Sequence, residues 1–120
     1  MNTRALATAS AVGTVLQVAM VLAGHVSPTV AGLFAVGGMG LSLVAGVLYT
    51  RLAPSASRGD AAIGGLLAGA VCAVLGILVS YLLHDVPASL LVLGTASSAV
   101  TGAIGGVLGM FGKARFAAAR

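Results

Sequence analysis

Long uninterrupted apolar runs alternate with short polar connections along this chain. Four runs, at about residues 5–24, 29–50, 61–83 and 88–111, contain no Asp, Glu, Lys or Arg. A helix needs about 20 apolar residues to cross the hydrocarbon of a bilayer, whereas a barrel strand alternates polar and apolar residues in shorter segments. The pattern therefore predicts an all-α membrane protein, a four-transmembrane-helix bundle that forms a single domain over residues 1–120.

The connections between the runs carry residues that begin and end helices. Ser27 can cap the second helix, with Pro28 at its first position, and Asp60 and Asp85 can cap the third and the fourth. Pro54 is expected to end the second helix, because proline cannot continue one. Short connections of this kind predict that helices adjacent in sequence run antiparallel.

The two outer connections share a His-x-x-Pro pattern. It is His25 to Pro28 in the first and His84 to Pro87 in the second. A tandem duplication of one helical hairpin fits this match, and so does coincidence between two similar turns. Two duplicated hairpins would be related by an axis along the membrane normal.

Composition and charge predict a lipid environment for the bundle and its orientation in the membrane. The chain is 59% hydrophobic and only 7% charged, against roughly 25% charged residues in soluble domains, so lipid must replace water around most of it. An excess of Lys and Arg marks the cytoplasmic side. We therefore expect an integral plasma (inner) membrane protein with both termini in the cytoplasm and with anionic lipid headgroups, not nucleic acid, as partners. The basic residues, all on one predicted face, are Arg4, Arg51, Arg58, Lys113, Arg115 and Arg120.

Small residues recur at every fourth position of the later helices. In lipid such residues allow two helix backbones to approach closely. They can pack the four helices together, and a second stripe on the fourth helix (Thr101, Gly105, Gly109) can serve another subunit, which predicts a homo-oligomer or a place among other membrane subunits. The candidate packing residues are Gly38, Ser42, Gly46, Gly65, Gly69, Gly94, Ser98, Gly102 and Gly106.

A few polar side chains interrupt the apolar runs. Gln17 lies near the middle of the first helix, and Ser97 and Thr101 lie in the fourth. A buried amide needs a hydrogen-bonding partner, so Gln17 either bonds to another helix or lines a polar path with these hydroxyls. Hydroxyls can also bond to the backbone of their own helix.

His25 and His84 are the only histidines, and both follow helices that run towards the same face. Together they could ligate a metal or a haem, or make that face sensitive to pH. They could also be interfacial residues near helix C-termini, where the dipole favours them. Because two imidazoles are an incomplete metal site, we expect no cofactor and no metal.

No catalytic motif occurs in the sequence. It has no zinc-binding or phosphate-loop pattern, and an enzyme is therefore not expected. The apolar runs also lack the ionisable residues that mark proton and ion pathways. The predicted function is a structural or assembly role, as an oligomer or as an accessory subunit of a larger membrane complex. The alternative is a small passive channel, transporter or holin-like pore-former.

Overall fold

The helices follow the apolar runs closely. The computed structural model describes residues 2–53 and 56–118. They form α1 (Thr3–Val26), α2 (Pro28–Ala31), α3 (Phe34–Leu52), α4 (Arg58–Leu82) and α5 (Ser89–Ala118), with no strand in the described ranges. The predicted all-α class is thus confirmed. Pro54 and Arg120, to which the sequence assigns a helix end and a cytoplasmic charge, lie outside the described residues.

Four of these helices are long and apolar enough to cross a membrane. They are Thr3–Val26, Phe34–Leu52, Arg58–Leu82 and the Ser89–Phe111 part of α5. Large apolar side chains such as Val15, Val36 and Val92 point outwards from the bundle. A surface of that kind is stable when lipid covers it, and the four apolar helices indicate a membrane-embedded protein.

The second predicted helix is not continuous. Ser27 accepts a hydrogen bond from the Val30 N–H, as expected for an N-cap, but the helix that it caps is the four-residue α2. The chain then turns at Gly32 and Leu33 before α3 begins. Glycine is a weak helix former, and this interruption shortens the spanning helix to 19 residues.

Two of the predicted caps are wrong. α4 is capped by Ser57, whose hydroxyl accepts from the Asp60 N–H, so that the Asp60 carboxylate is left to accept from the Tyr49 hydroxyl. α5 begins at Ser89, well beyond Asp85. The backbone N–H of Asp85 instead bonds back to the Ser80 carbonyl and closes the end of α4. His84 makes this turn with a positive φ of 62°, the left-handed position of a Schellman motif.

Two helices form the middle of the bundle. α3 and α4 contact each other, and both also contact α1 on one side and α5 on the other. We call the end with the α1–α2 and α4–α5 connections the histidine end. The opposite end, with the N-terminus and the α3–α4 connection, is the basic end. The molecule measures 48 × 24 × 20 Å, longer than the hydrocarbon thickness of roughly 30 Å.

Glycines bring the helix backbones into contact in the half of the bundle near the basic end. A Cβ added at Gly102 would overlap the Gly65 carbonyl oxygen, and one added at Gly46 would overlap the Gly102 carbonyl. The Thr50 hydroxyl adds a hydrogen bond of 2.6 Å to the Gly106 carbonyl. α3, α4 and α5 are therefore tightly closed against one another in this half.

Candidate functional site

A cavity of about 510 Å³ lies between the helices in the opposite half of the bundle. Its lining extends from Asp85 and Val86, at the histidine end, to Gln17 and Ser98 near the middle of the bundle. All four spanning helices line it, mostly with apolar side chains. Small-molecule sites in proteins have this size and this mixture of apolar walls with a few polar groups.

The contacts of α5 change along its length. Near the basic end the backbones of α3 and α5 touch, since a Cβ at Gly105 would overlap the Leu43 carbonyl. Nearer the histidine end α5 meets the Ile77 side chain of α4, whose Cδ1 would be 2.6 Å from a Cβ at Gly94. There Phe34 of α3 and Leu93 of α5 line the space between the two helices. Close glycine contacts near the basic end thus give way to larger side chains near the histidine end, where the cavity lies.

Gln17 forms the floor of the cavity. Its side chain is 3% exposed, and its Nε2 donates to the Gly38 carbonyl at 3.0 Å and to the Ser42 hydroxyl at 3.3 Å. The Cys72 sulfur lies 3.8 Å from the same nitrogen. These contacts tie α1 to α3 and α4. Gln17 therefore makes the interhelical hydrogen bond that the sequence predicts and also lines the cavity, although the sequence gives these two roles as alternatives.

The hydroxyls near the floor have different surroundings. Ser97 lines the cavity but donates to the Leu93 carbonyl at 2.9 Å, and Thr101 donates to the Ser97 carbonyl at 2.8 Å. Thr101 does not line the cavity, so the polar path proposed for Gln17, Ser97 and Thr101 is not continuous. Ser80 does line it, is 2% exposed, and has no hydrogen-bond partner among the described residues.

A single polar pair lies at the mouth. The His25 Nδ1 is 2.8 Å from an Asp85 carboxylate oxygen, which joins the last turn of α1 to the connection before α5. The Schellman turn at His84 directs the chain so that Asp85 faces α1. His84 itself is exposed at the same end of the bundle. The two histidines thus lie at the same end, as the sequence predicts, and the partner of His25 is a carboxylate that the sequence does not assign to it.

The predicted packing residues fall into two groups. Those near the basic end lie where α3, α4 and α5 meet: Gly46, Gly65, Gly69, Gly102 and Gly106. Those nearer the histidine end border the cavity or its floor: Gly38, Ser42, Gly94 and Ser98. The second α5 stripe is also used inside the bundle, because Gly105 meets Leu43 and Gly109 meets Val47 and Thr50 of α3.

A buried tyrosine closes the basic end. Tyr49 is 0% exposed, and its ring fills the space beside Gly64 of α4. Its hydroxyl donates to Asp60 at 3.0 Å and accepts from the Asn2 N–H at 3.3 Å. Tyr49 thus joins three helix ends within the protein. The lining of the cavity does not extend to these residues.

Sequence reasoning missed Ser80 and the role of Asp85. Ser80 is one hydroxyl in an apolar run, and nothing in its spacing distinguishes it from Ser89 or Ser97. The sequence could have indicated the role of Asp85, because it is the only acidic residue in the two connections that carry the histidines. No cluster of three or more His, Cys, Asp or Glu side chains occurs among the residues that the structure describes.

Comparison with protein-family models, with curated proteins and with solved structures finds no match to this chain, so its assignment rests on its own residues.

Proposed function

We propose that this protein is a small passive carrier for uncharged molecules and that the structure is its outward-open state. The observation that supports the proposal is the cavity, which opens at one end of the bundle, reaches the middle at Gln17 and is closed beyond it by glycine packing. Carriers hold their substrates near the bilayer midplane between packed helices. A cavity that ends there on one side is what such a carrier needs in one of its two states.

The charges give the orientation that we propose. The basic end carries Arg4, Arg51 and Arg58, and no Lys or Arg occurs in the two connections of the histidine end. The positive-inside rule places the basic end in the cytoplasm of a cell whose plasma (inner) membrane holds the protein. The cavity then opens to the outside. Tags on both termini should report cytoplasm, and cysteines at Ser27 and Ala88 should react with an impermeant reagent from outside.

The lining supports an uncharged substrate. Among the described residues that line the cavity, only Asp85 has an ionisable carboxyl or amino group, and it lies at the histidine end against His25. The floor carries an amide and hydroxyls, which cannot neutralise a charge taken out of water. The absence of Asp, Glu, Lys and Arg from the four apolar runs also favours passive movement over proton coupling.

The alternative is a structural or assembly role within an oligomer or a larger membrane complex. The sequence argument for this role is that α5 has two stripes of small residues, of which one can contact another subunit. Inside this bundle α5 has two neighbours, and one stripe meets α4 while Gly105 and Gly109 meet α3. Both stripes thus have a use within one chain, and this favours the carrier.

Uptake by proteoliposomes tests the proposal. Vesicles with the protein should swell faster than empty ones in gradients of glycerol, 1,2-propanediol or acetamide, which bilayers pass slowly. Ala35→Trp fills the cavity and should abolish the increase, whereas Val36→Trp is a matched control because Val36 is 73% exposed to lipid and does not line the cavity. Equal swelling with the two variants, or none with the wild type, would contradict the carrier and leave the assembly role.

A further inference from the structure

The polar groups at the floor of the cavity define the chemistry of its ligand. We propose that the Gln17 Oε1 accepts a hydrogen bond from the donor of an uncharged molecule with an apolar body, that is, an alcohol or an N–H amide, and that the Ser80 hydroxyl donates to an oxygen of the same molecule. This inference rests on the cavity being the binding site of the proposed carrier. It adds the class of substrate and names two recognition residues.

The Gln17 amide is used on one side only. Its Nε2 has Gly38, Ser42 and Cys72 as acceptors, whereas its Oε1 accepts no hydrogen bond from the described residues. An amide oxygen can accept two hydrogen bonds. Because the protein holds the nitrogen, the amide cannot turn over without losing these contacts. The oxygen is therefore fixed as an acceptor at the floor.

Ser80 lies close to this oxygen along α4. A Cβ added at Gly76 would be 3.5 Å from the Gln17 Oε1, and Ser80 follows Gly76 by one helical turn on the same face. A serine in a helix commonly bonds to the carbonyl four residues earlier, but the Ser80 hydroxyl has no partner among the described residues. The Gln17 Oε1 therefore lies beside Gly76, and Ser80 lies about 6 Å farther along the axis of α4.

The rest of the cavity selects against charge and for an apolar body. Met20, Phe34, Ile77, Leu90 and Leu93 are among the apolar side chains of the wall. The volume of about 510 Å³ lies within the roughly 300 to 1,000 Å³ of small-molecule sites. This is much more than a single structural water needs. A molecule with a ring or a branched chain and one hydroxyl or amide group matches both the wall and the floor.

Binding of three related probes tests the inference. The probes are 4-fluorobenzyl alcohol, its methyl ether, which has no donor, and 4-fluorobenzylamine, which is a cation at neutral pH. Their affinities for the protein in nanodiscs are measured by fluorine NMR, with empty nanodiscs subtracted. The alcohol should bind about fivefold to tenfold more tightly than the ether, the usual worth of one hydrogen bond of about 1 to 1.4 kcal/mol, and the amine should bind most weakly.

Variants locate the donor site. Ser80→Ala should weaken the alcohol and the ether alike, by about fivefold, because the oxygen of either probe can accept from the Ser80 hydroxyl. Since this change breaks no hydrogen bond within the protein, it should not lower the melting temperature. Gln17→Met should remove most of the preference for the alcohol over the ether, because only the alcohol can donate to the Gln17 Oε1. Thr95→Ala removes another buried hydroxyl without a partner, away from the cavity lining, and should change neither affinity.

Equal affinities for alcohol and ether, tighter binding of the amine, or an unchanged alcohol affinity in both Ser80→Ala and Gln17→Met would overturn the inference. Such results would indicate an apolar site of the kind that lipid chains fill, or a cation site. The proposed carrier is tested separately, since the selective binding of the alcohol without solute uptake would remove the carrier alone. Uptake blocked by Ala35→Trp without donor selectivity would remove this inference alone.

Discussion

Gln17 joins the packing of the bundle to its candidate function. Its nitrogen bonds to Gly38 and Ser42 of α3, and its oxygen is left for the cavity. The sequence predicts each of these roles for an amide at mid-membrane depth, but as alternatives. It cannot say that both hold, because the separate uses of oxygen and nitrogen depend on where α3 and α4 come to lie.

Replacing this amide should have a measurable but modest cost. We expect Gln17→Leu to lower the free energy of unfolding by about 0.6 to 1.7 kcal/mol, the range found for interhelical hydrogen bonds in membranes. Unfolding in a titration from mild detergent into dodecyl sulfate measures it. Val15→Leu is the control, since Val15 is 68% exposed to lipid and should change little. A Gln17→Leu protein as stable as this control would show that the Gln17 bonds do not hold α1 to α3.

α5 shows how helices in this protein use small residues. Gly102 and Gly106 lie against α4 and also contact Gly46 of α3, while Gly105 and Gly109 face α3. The existence and approximate bounds of the helices follow from the apolar runs. The break at Gly32 does not, because Gly37, Gly38 and Gly40 occupy similar sequence without interrupting α3. The caps at Ser57 and Asp60 could not be told apart either, since both residue types cap helices well.

The close approach of the helices should be sensitive to added volume at Gly102. We expect Gly102→Leu to destabilise the bundle by about 1 to 3 kcal/mol or more, because its side chain would enter the backbone of α4 at Gly65. Gly40→Ala is the matched control, as nothing lies within 4 Å of its Cβ, and should stabilise by roughly 0.5 to 1 kcal/mol. Thermal unfolding measures both. An unchanged melting temperature of Gly102→Leu would place this stripe against lipid.

As a whole, the bundle is tightly packed at the basic end, and its cavity lies towards the histidine end. Glycine packing and the Tyr49–Asp60 contact hold one end together, while the His25–Asp85 pair lies beside the opening of the other. Charge and hydropathy predict the membrane and the orientation that we propose. They contain no information on the cavity, because it depends on which side chains meet between the helices near the histidine end, such as Ile77 of α4 and Gly94 of α5.

Transport by the proposed carrier should not move protons. The four apolar runs contain no Asp, Glu, Lys or Arg, and ionisable residues at this depth are what proton relays require. Proteoliposomes with a trapped pH indicator should therefore show no change of internal pH when a gradient of glycerol or acetamide is imposed. A proton flux that His25→Ala or Gln17→Leu abolishes would contradict this prediction and point to coupled transport.

Chemical access to the cavity floor shows whether the cavity opens to the outside of the cell. In a Cys72→Ala background, Ser98→Cys places a thiol at the floor, and Val100→Cys places one at nearly the same depth on the lipid-facing surface, where Val100 is 60% exposed. A membrane-impermeant maleimide is added from outside to intact cells. If the cavity opens to the outside, the reagent should label position 98, more slowly in the Ala35→Trp variant, and should not label position 100. Labelling of neither position, or labelling of position 98 only from the cytoplasmic side, would contradict an outward-opening cavity.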